Sequence, residues 1–242
     1  MHLNVFQSGF NYSQDGPGNR LVYHLQGCSL RCPWCSNPEG LSAQGGKPRS
    51  PEELIDEARR SRLMFFDGGG VTLTGGEVTL QFEPVKSFLS LLHAEGIHTC
   101  IETNGLHPRL PELFPVLDLL IMDVKHYDPE RHRNAAGLPN DTAFRNIAAA
   151  LDAGQETALR IPLIGGFNAS EEDAEQFAER LISLHVPGRM TVELLPYHEF
   201  GKSKYEKLNL PYTMTETAKV SKEAVQRFAR ILTDAGIEII HT

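Results

Sequence analysis

Cysteine is scarce in this chain: 242 residues carry four. So few argue against a secreted scaffold stapled by disulfides. There is no basic run, and the formal net charge is −8, which weighs against nucleic acid as the main partner. Long apolar runs are also missing. Charged residues interrupt every hydrophobic stretch before membrane-spanning length. Met1 to Phe10 has neither a basic n-region nor an apolar h-region, so no secretory signal is expected. No linker or low-complexity stretch divides the chain. A hydrophobic content of 40% still allows a sizeable core. The length suits one barrel-sized α/β domain spanning 1–242. The default setting is reducing and cytoplasmic.

Three of the four cysteines stand together. Cys28, Cys32 and Cys35 are spaced C-x3-C-x2-C in a loop rich in Gly and Pro. Three close thiolates are soft-metal ligands. A cubane [4Fe–4S] cluster normally takes four cysteines, so three would leave one iron open to a substrate. The competing reading is structural zinc, which needs a closed four-ligand shell. His24 or the distant Cys100 could supply the fourth ligand, though neither has finger-type spacing.

Taken in order, the chain alternates strand and helix signals. Asp15-Gly16-Pro17-Gly18 is turn chemistry in a stretch, 1–19, with few periodic signals. Arg20 to Gln26 reads as a strand that runs into the cysteine loop. Ser50-Pro51-Glu52-Glu53 is a capping box opening a helix with Leu54, Ile55 and Ala58 inside. Val71 to Leu73 is a strand leading to Thr74-Gly75-Gly76-Glu77. A helix with Val85, Phe88, Leu89 and Leu92 follows and closes at Gly96. Ile97 to Ile101 and the nearly all-apolar Leu117 to Val124 are strands, the latter buried on both faces. Phe144 to Leu151 is helical and closes at Gly154. Ala158 to Ile164 is a strand carrying Arg160. Ser170 caps the next helix. Thr191 to Leu195 is a strand leading to Pro196-Tyr197-His198. Ser221 caps the last helix, and Ile237 to Ile240 is a closing strand. Gly201 to Val220 is expected to be irregular. This β–α repetition implies a parallel sheet with outer helices. About six barrel-type strands fit a partial (β/α)6 TIM-like barrel better than a closed eightfold one.

Active sites of parallel α/β folds lie at the C-terminal ends of the strands. That rule gathers the cysteines, Gly75-Gly76-Glu77, Glu102-Thr103-Asn104, Asp123 with Lys125, Arg160 and His198 on one rim. Each has a plain structural explanation when taken alone. Gly-Gly is often a turn, Lys125 with Asp123 an ion pair, and Arg160 a partner for Glu102 or Asp123. Six strand ends bearing such residues together point to a site.

With these residues in place, the sequence resembles the radical S-adenosylmethionine superfamily, and within it the activating enzymes of glycyl radical enzymes. The resemblance rests on Asp15-Gly16-Pro17-Gly18, on Gly27 through Pro38, and on Thr74 to Glu77. It rests further on Thr103-Asn104-Gly105, Asp123-Val124-Lys125 and Leu194 to His198. It runs from about residue 4 to the C-terminus.

What the resemblance implies is a [4Fe–4S] cluster on Cys28, Cys32 and Cys35, with S-adenosylmethionine on the open iron. Gly76 would meet the methionine amino end. Trp34, Cys35 and Ser36 would meet the adenosyl part. Asp123, Val124, Lys125 and His198 would meet ribose and carboxylate, with Arg160 completing the wall. The implied partner is a glycine-bearing loop of a glycyl radical enzyme, pyruvate formate-lyase in the first place. Flavodoxin or ferredoxin would be the electron donor, and the chain would act as a monomer. A monovalent cation at Glu102, Thr103, Ile121 and Asp123 is also implied. Glu102 departs from the Asp of the family pattern, as Ser36 departs from its usual His. The stretch Glu39 to Ser50 lacks the extra cysteines of ferredoxin-like inserts, which fits the minimal, pyruvate formate-lyase type. The alternatives are a radical S-adenosylmethionine enzyme acting on a small molecule, and a zinc-stabilised binding domain.

Overall fold

The computed structural model describes residues 1–184 and 190–240. Nine strands form one sheet: β1 (Leu3–Tyr12), β2 (Asn19–Leu25), β3 (Lys47–Arg49), β4 (Gly70–Gly75), β5 (His98–Thr103), β6 (Leu119–Asp123), β7 (Thr157–Leu163), β8 (Met190–Pro196) and β9 (Glu238–Ile240). The helices are α1 (Pro51–Arg60), α2 (Phe82–Ala94), α3 (Pro129–Ala136), α4 (Asp141–Asp152), α5 (Glu171–Ile182), α6 (Lys202–Lys207) and α7 (Lys222–Asp234).

The strand order is β3-β1-β2-β4-β5-β6-β7-β8-β9. From β2 through β4 to β9 every pairing is parallel. Strands β3 and β9 are the two ends of this order, so the sheet is an open, partial barrel rather than a closed ring. Helices cover the outer face, as crossover connections between parallel strands require.

Local chemistry explains the elements. Ser50 Oγ accepts from the Glu53 amide at 3.2 Å, and Glu53 Oε2 accepts from the Ser50 amide at 3.0 Å. This reciprocal cap fixes the start of α1. Ser170 and Asp173 do the same for α5 at 3.0 and 3.1 Å. Gly96, Gly154 and Gly236 adopt left-handed φ of 63°, 71° and 86° where α2, α4 and α7 turn into the next strand, a conformation that favours glycine.

Strand alternation divides the interior in two. Leu21, Leu73, Ile101, Leu120, Met122, Leu159 and Val192 point outward and form the main core with α1, α2, α4, α5 and α7. Cys100, Leu119, Ile121 and Ala158 form a small separate cluster. Residues of that alternate set also include the buried Arg20, Thr72, Thr74, Arg160 and Glu193. The barrel lumen is therefore polar from its base at Arg20 to its upper end at Thr74.

The structure adds elements that the sequence pattern does not reveal. Residues 3–12 form β1, antiparallel to β2, with an irregularity between Val5 and Gln7. Its side chains are mostly exposed, so no buried alternation marks it. The turn Asp15 to Gly18 does not lie free on the surface. Arg20 Nη1 donates to the Pro17 carbonyl at 3.2 Å, and Thr72 Oγ1 donates to the Asp15 carbonyl at 2.7 Å. These bonds draw the turn against the base of the barrel. Within Gly201 to Val220, expected to be irregular, Lys202–Lys207 forms the short α6. Helix α3 is likewise additional.

Candidate active site

The cysteine loop runs from the end of β2 to β3. Its exit is tied back by Gln26, whose side-chain amide donates to the carbonyls of Glu39 and Ser42, both at 2.8 Å. Its middle packs on α3: Leu30, Cys32 and Ala136 are buried together, with Cys28 and Trp34 against them. The Arg31 amide donates to the Ala136 carbonyl at 2.8 Å. Trp34 leans on Phe167, ring centres 5.1 Å apart. From the other side α6 closes on the loop. Lys204 Nζ reaches Asn37 Oδ1 at 3.0 Å and Glu39 at 3.2 Å. A side chain at Gly201 would put its Cβ 2.4 Å from the Cys35 carbonyl oxygen.

Cys28, Cys32 and Cys35 are free thiols. All three line one cavity of about 240 Å³ at the C-terminal ends of the strands. Trp34 and Ser36 line it from the same loop, and Gly76 from the end of β4. Glu102, Thr103, Asp123, Lys125, Arg160 and His198 line it from β5 through the end of β8. The rim gathered by the strand-end rule is thus one pocket. Glu77 of that rim is buried and does not line the pocket, and Val124, named by the resemblance, has its side chain in the main core. Cys100 and His24 are not among the lining residues. Cys100 is fully buried in the lumen cluster.

Fixed pairs set the electrostatics of the wall. Lys125 Nζ donates to Asp123 Oδ2 at 2.7 Å. Burial works against charge on this ammonium, but Asp123 and the neighbouring thiols outweigh it and hold the pKa above the ordinary lysine value. Arg160 Nε donates to Glu193 Oε2 at 2.7 Å, Nη1 to Glu102 and Nη2 to the Gln14 carbonyl. Thr74 Oγ1 donates to the other Glu102 oxygen at 2.7 Å. Burial pushes the Glu102 carboxyl up, to about 7, while Arg160 and Thr74 pull it toward the charged form. His198 is lowered by burial and stacks on Phe200 with ring centres 4.0 Å apart. Burial also raises the thiols, Cys28 to about 11 and Cys32 to about 12. At neutral pH they are protonated until a metal displaces the protons.

Supporting residues brace this wall; Glu77 is already on the rim that the strand-end rule gathers, while Asn168 and Glu193 are not. Glu77 is buried under the pocket floor. Its two oxygens accept from Thr103 Oγ1 at 2.7 Å and the Asn104 amide at 2.8 Å, locking the end of β5 to that of β4. Asn168 donates to the carbonyls of Lys125 at 2.8 Å and Pro162 at 2.7 Å. It holds the ends of β6 and β7 together. Glu193 is the inward residue of β8 beside Arg160. All three are buried polar residues: Glu77 follows β4, Asn168 lies in the turn after β7, and Glu193 is mid-strand in β8.

Three unpaired thiols of one loop, all facing the same cavity, fit a cluster that keeps one iron open. Among the described residues, no three His, Cys, Asp or Glu side chains are grouped to hold a single metal ion.

An open parallel barrel with a three-cysteine loop over its strand ends defines a radical S-adenosylmethionine protein. A family model described as the Radical SAM superfamily matches residues 22–180. The pyruvate formate-lyase 1-activating enzyme of Escherichia coli (strain K12) is 32% identical over 231 residues, 93% of either chain. The pyruvate formate-lyase-activating enzyme of Clostridium pasteurianum is 36% identical over 221 residues, covering 90% of this chain and 92% of that one. The crystal structure of a domain of pyruvate-formate lyase-activating enzyme from Bacteroides vulgatus ATCC 8482 superposes with a TM-score of 0.58 at 30% identity. It covers 72% of this chain and 98% of that domain. The chain belongs to the pyruvate formate-lyase activating enzyme family of the radical S-adenosylmethionine superfamily. Membership carries a [4Fe–4S] cluster and S-adenosylmethionine with it, and makes the chain an oxidoreductase of the activase type. No described helix is long and apolar enough to cross a membrane.

Proposed function

We propose that this chain reductively cleaves S-adenosylmethionine and takes a hydrogen atom from the Cα of one glycine in a partner glycyl radical enzyme, pyruvate formate-lyase. The observation that carries the reading is the convergence of the three free thiols with Asp123, Lys125, Arg160 and His198 on one cavity. When bound, the cluster and S-adenosylmethionine would supply one-electron reductive cleavage of the C5′–S bond and hydrogen-atom transfer from the glycine Cα to the 5′ carbon.

The chain's own residues bind, orient and shield. Cys28, Cys32 and Cys35 hold the cluster. Lys125, kept charged by Asp123, is the cation for the methionine carboxylate, a charge-assisted contact. Gly76, with no side chain, lets backbone approach the methionine amino group. Trp34, Cys35 and Ser36 offer an apolar ring and backbone groups to the adenosyl part. Asp123 and His198 face the ribose, and Val124 contributes through backbone alone. Arg160 closes the wall. The partner's residue is glycine because, without a side chain, its Cα can approach a buried reactive carbon closely. Flavodoxin or ferredoxin supplies the electron, and the chain works as a cytoplasmic monomer with its pocket mouth open to the partner's loop.

The test is an electron paramagnetic resonance spectrum of anaerobically reconstituted, reduced protein with S-adenosylmethionine and pyruvate formate-lyase. 5′-Deoxyadenosine is assayed in the same tube. A glycyl radical doublet is expected. Abundant 5′-deoxyadenosine without a doublet would mean a different partner or a small-molecule substrate. Neither signal, from protein with a full cluster, would overturn the proposal.

A further inference from the structure

We infer that this chain binds its cofactor without the monovalent cation that its resemblance implies, because the Arg160 guanidinium already occupies that place electrostatically. The inference rests on the reading of this pocket as the S-adenosylmethionine site.

Three of the four groups that would hold the ion, Glu102, Thr103 and Asp123, are engaged by other partners. Glu102 stands where the family pattern has Asp, and its extra methylene is used. One oxygen accepts from Arg160 Nη1, which comes from β7, two strands away across β6. The other accepts from Thr74 on β4 at 2.7 Å. Asp123 holds Lys125 at 2.7 Å. The Thr103 hydroxyl donates to Glu77 at 2.7 Å and accepts from the Gly105 amide at 3.1 Å.

Arg160 is not free to swing out of the way. Glu193 and the Gln14 carbonyl fix its other nitrogens. The pair is shielded, with side chains 10% and 19% exposed for Arg160 and Glu102. An ion lodged between Glu102 and Asp123 would face two fixed cations, Arg160 and Lys125, whose side chains are themselves only 10% and 11% exposed. Shortening Glu102 by one methylene withdraws its carboxylate from Arg160 and returns a lone carboxylate to the pocket.

The decisive measurement uses cluster-loaded protein in potassium, sodium or choline chloride at equal ionic strength. Thermal unfolding is followed without S-adenosylmethionine, and the affinity for S-adenosylmethionine is then titrated in each salt. An ion site filled a hundredfold above its dissociation constant would raise Tm by roughly 5–10 °C. We expect no potassium- or sodium-specific rise in the wild-type protein, and affinities for S-adenosylmethionine within about threefold, a difference worth less than 1 kcal/mol. Glu102→Asp is expected to acquire the rise, or a cation-dependent affinity.

A cation-specific rise or a larger affinity change in the wild-type protein would overturn the inference. So would a folded Glu102→Asp that ignores the cation, since the extra methylene would then not be the cause. Failure of S-adenosylmethionine to bind in any salt would instead sink the assignment of the pocket, a separable result because the cation is read from unfolding alone.

Discussion

Gly76→Ala is the sharpest test of how the pocket floor is built. Three backbone segments cross at this point. The Gly76 amide donates to the Leu25 carbonyl at 2.8 Å, the Glu77 amide to the Gly27 carbonyl at 2.6 Å, and the Gly27 amide to the Gly40 carbonyl at 2.9 Å. A Cβ on Gly76 would sit 2.1 Å from the Gly27 oxygen and 2.6 Å from the Gly40 oxygen. Both are backbone atoms at the root of the cysteine loop, so neither can rotate away. Gly76 does not have positive φ, so the penalty is steric rather than conformational. Overpacking costs about 1–3 kcal/mol, and each backbone bond broken adds roughly 0.5–1.5 kcal/mol. A total of about 2–5 kcal/mol corresponds to a fall in Tm of roughly 5–20 °C for a chain of this size. The assay is anaerobic thermal unfolding with iron determination. Gly9→Ala is the control, because a Cβ there meets nothing within 4 Å. We expect Gly76→Ala to lose stability and iron together, since the crossing anchors the loop that bears the cysteines. A variant with Tm within about 2 °C of wild type and full iron content would refute the crossing as drawn.

Other outcomes follow from the same geometry. Cys32→Ala is expected to abolish both iron incorporation and S-adenosylmethionine cleavage, while Cys100→Ala, buried in the lumen, keeps its iron; retained cleavage in the first would sink the assignment of the loop. Lys125→Ala removes one charge-assisted contact, worth about 1.5–3 kcal/mol, and should weaken S-adenosylmethionine binding roughly 10–100-fold with unchanged iron; a fall in iron would make Lys125 structural. His126 is fully buried, and burial lowers its pKa to about 4. The folded state therefore keeps the ring neutral while the unfolded chain protonates near 6.5, so stability is lost as pH falls from about 6.5 to about 4, by up to about 3 kcal/mol. His126→Asn should flatten that part of the stability–pH curve in denaturant titrations, and an unchanged slope would show that other groups carry it.

The sheet was legible where burial left a pattern. Residues 119–122 of β6 are buried along their length, and an unbroken apolar run can hardly be placed otherwise. The caps of α1 and α5 are written in consecutive residues, so local chemistry alone finds them. Strand β1 is illegible for the opposite reason. Most of its side chains face solvent, and it is a strand because backbone groups of β2 and β3 pair with it on either side. Such pairing leaves no mark in hydrophobic order. The turn Asp15 to Gly18 is legible as a turn, but its docking is not. Its residues specify a turn, but the carbonyls that bind it to Arg20 and Thr72 belong to any sequence.

Within the site, chemical type was legible and charge pairing only in part: the Lys125–Asp123 and Arg160–Glu102 pairs were among those the sequence offers, but the Glu193 partner of Arg160 was not. The strand-end rule needs only the order of elements, so it collects Glu102, Asp123, Lys125 and Arg160 correctly. Which acid meets which base depends on register and side-chain reach. Asp123 is the direct cross-strand neighbour of Arg160, and nearness alone would pair them. Lys125 lies two residues beyond Asp123 and takes it instead, at 2.7 Å. Arg160 is left with Glu193, its neighbour on the other side, and with Glu102, which spans β6 because a glutamate is long enough. A single methylene thus decides whether the Glu102 carboxylate reaches Arg160 across β6. That choice lies in the length of one side chain measured against a strand spacing of about 4.8 Å, which the fold supplies.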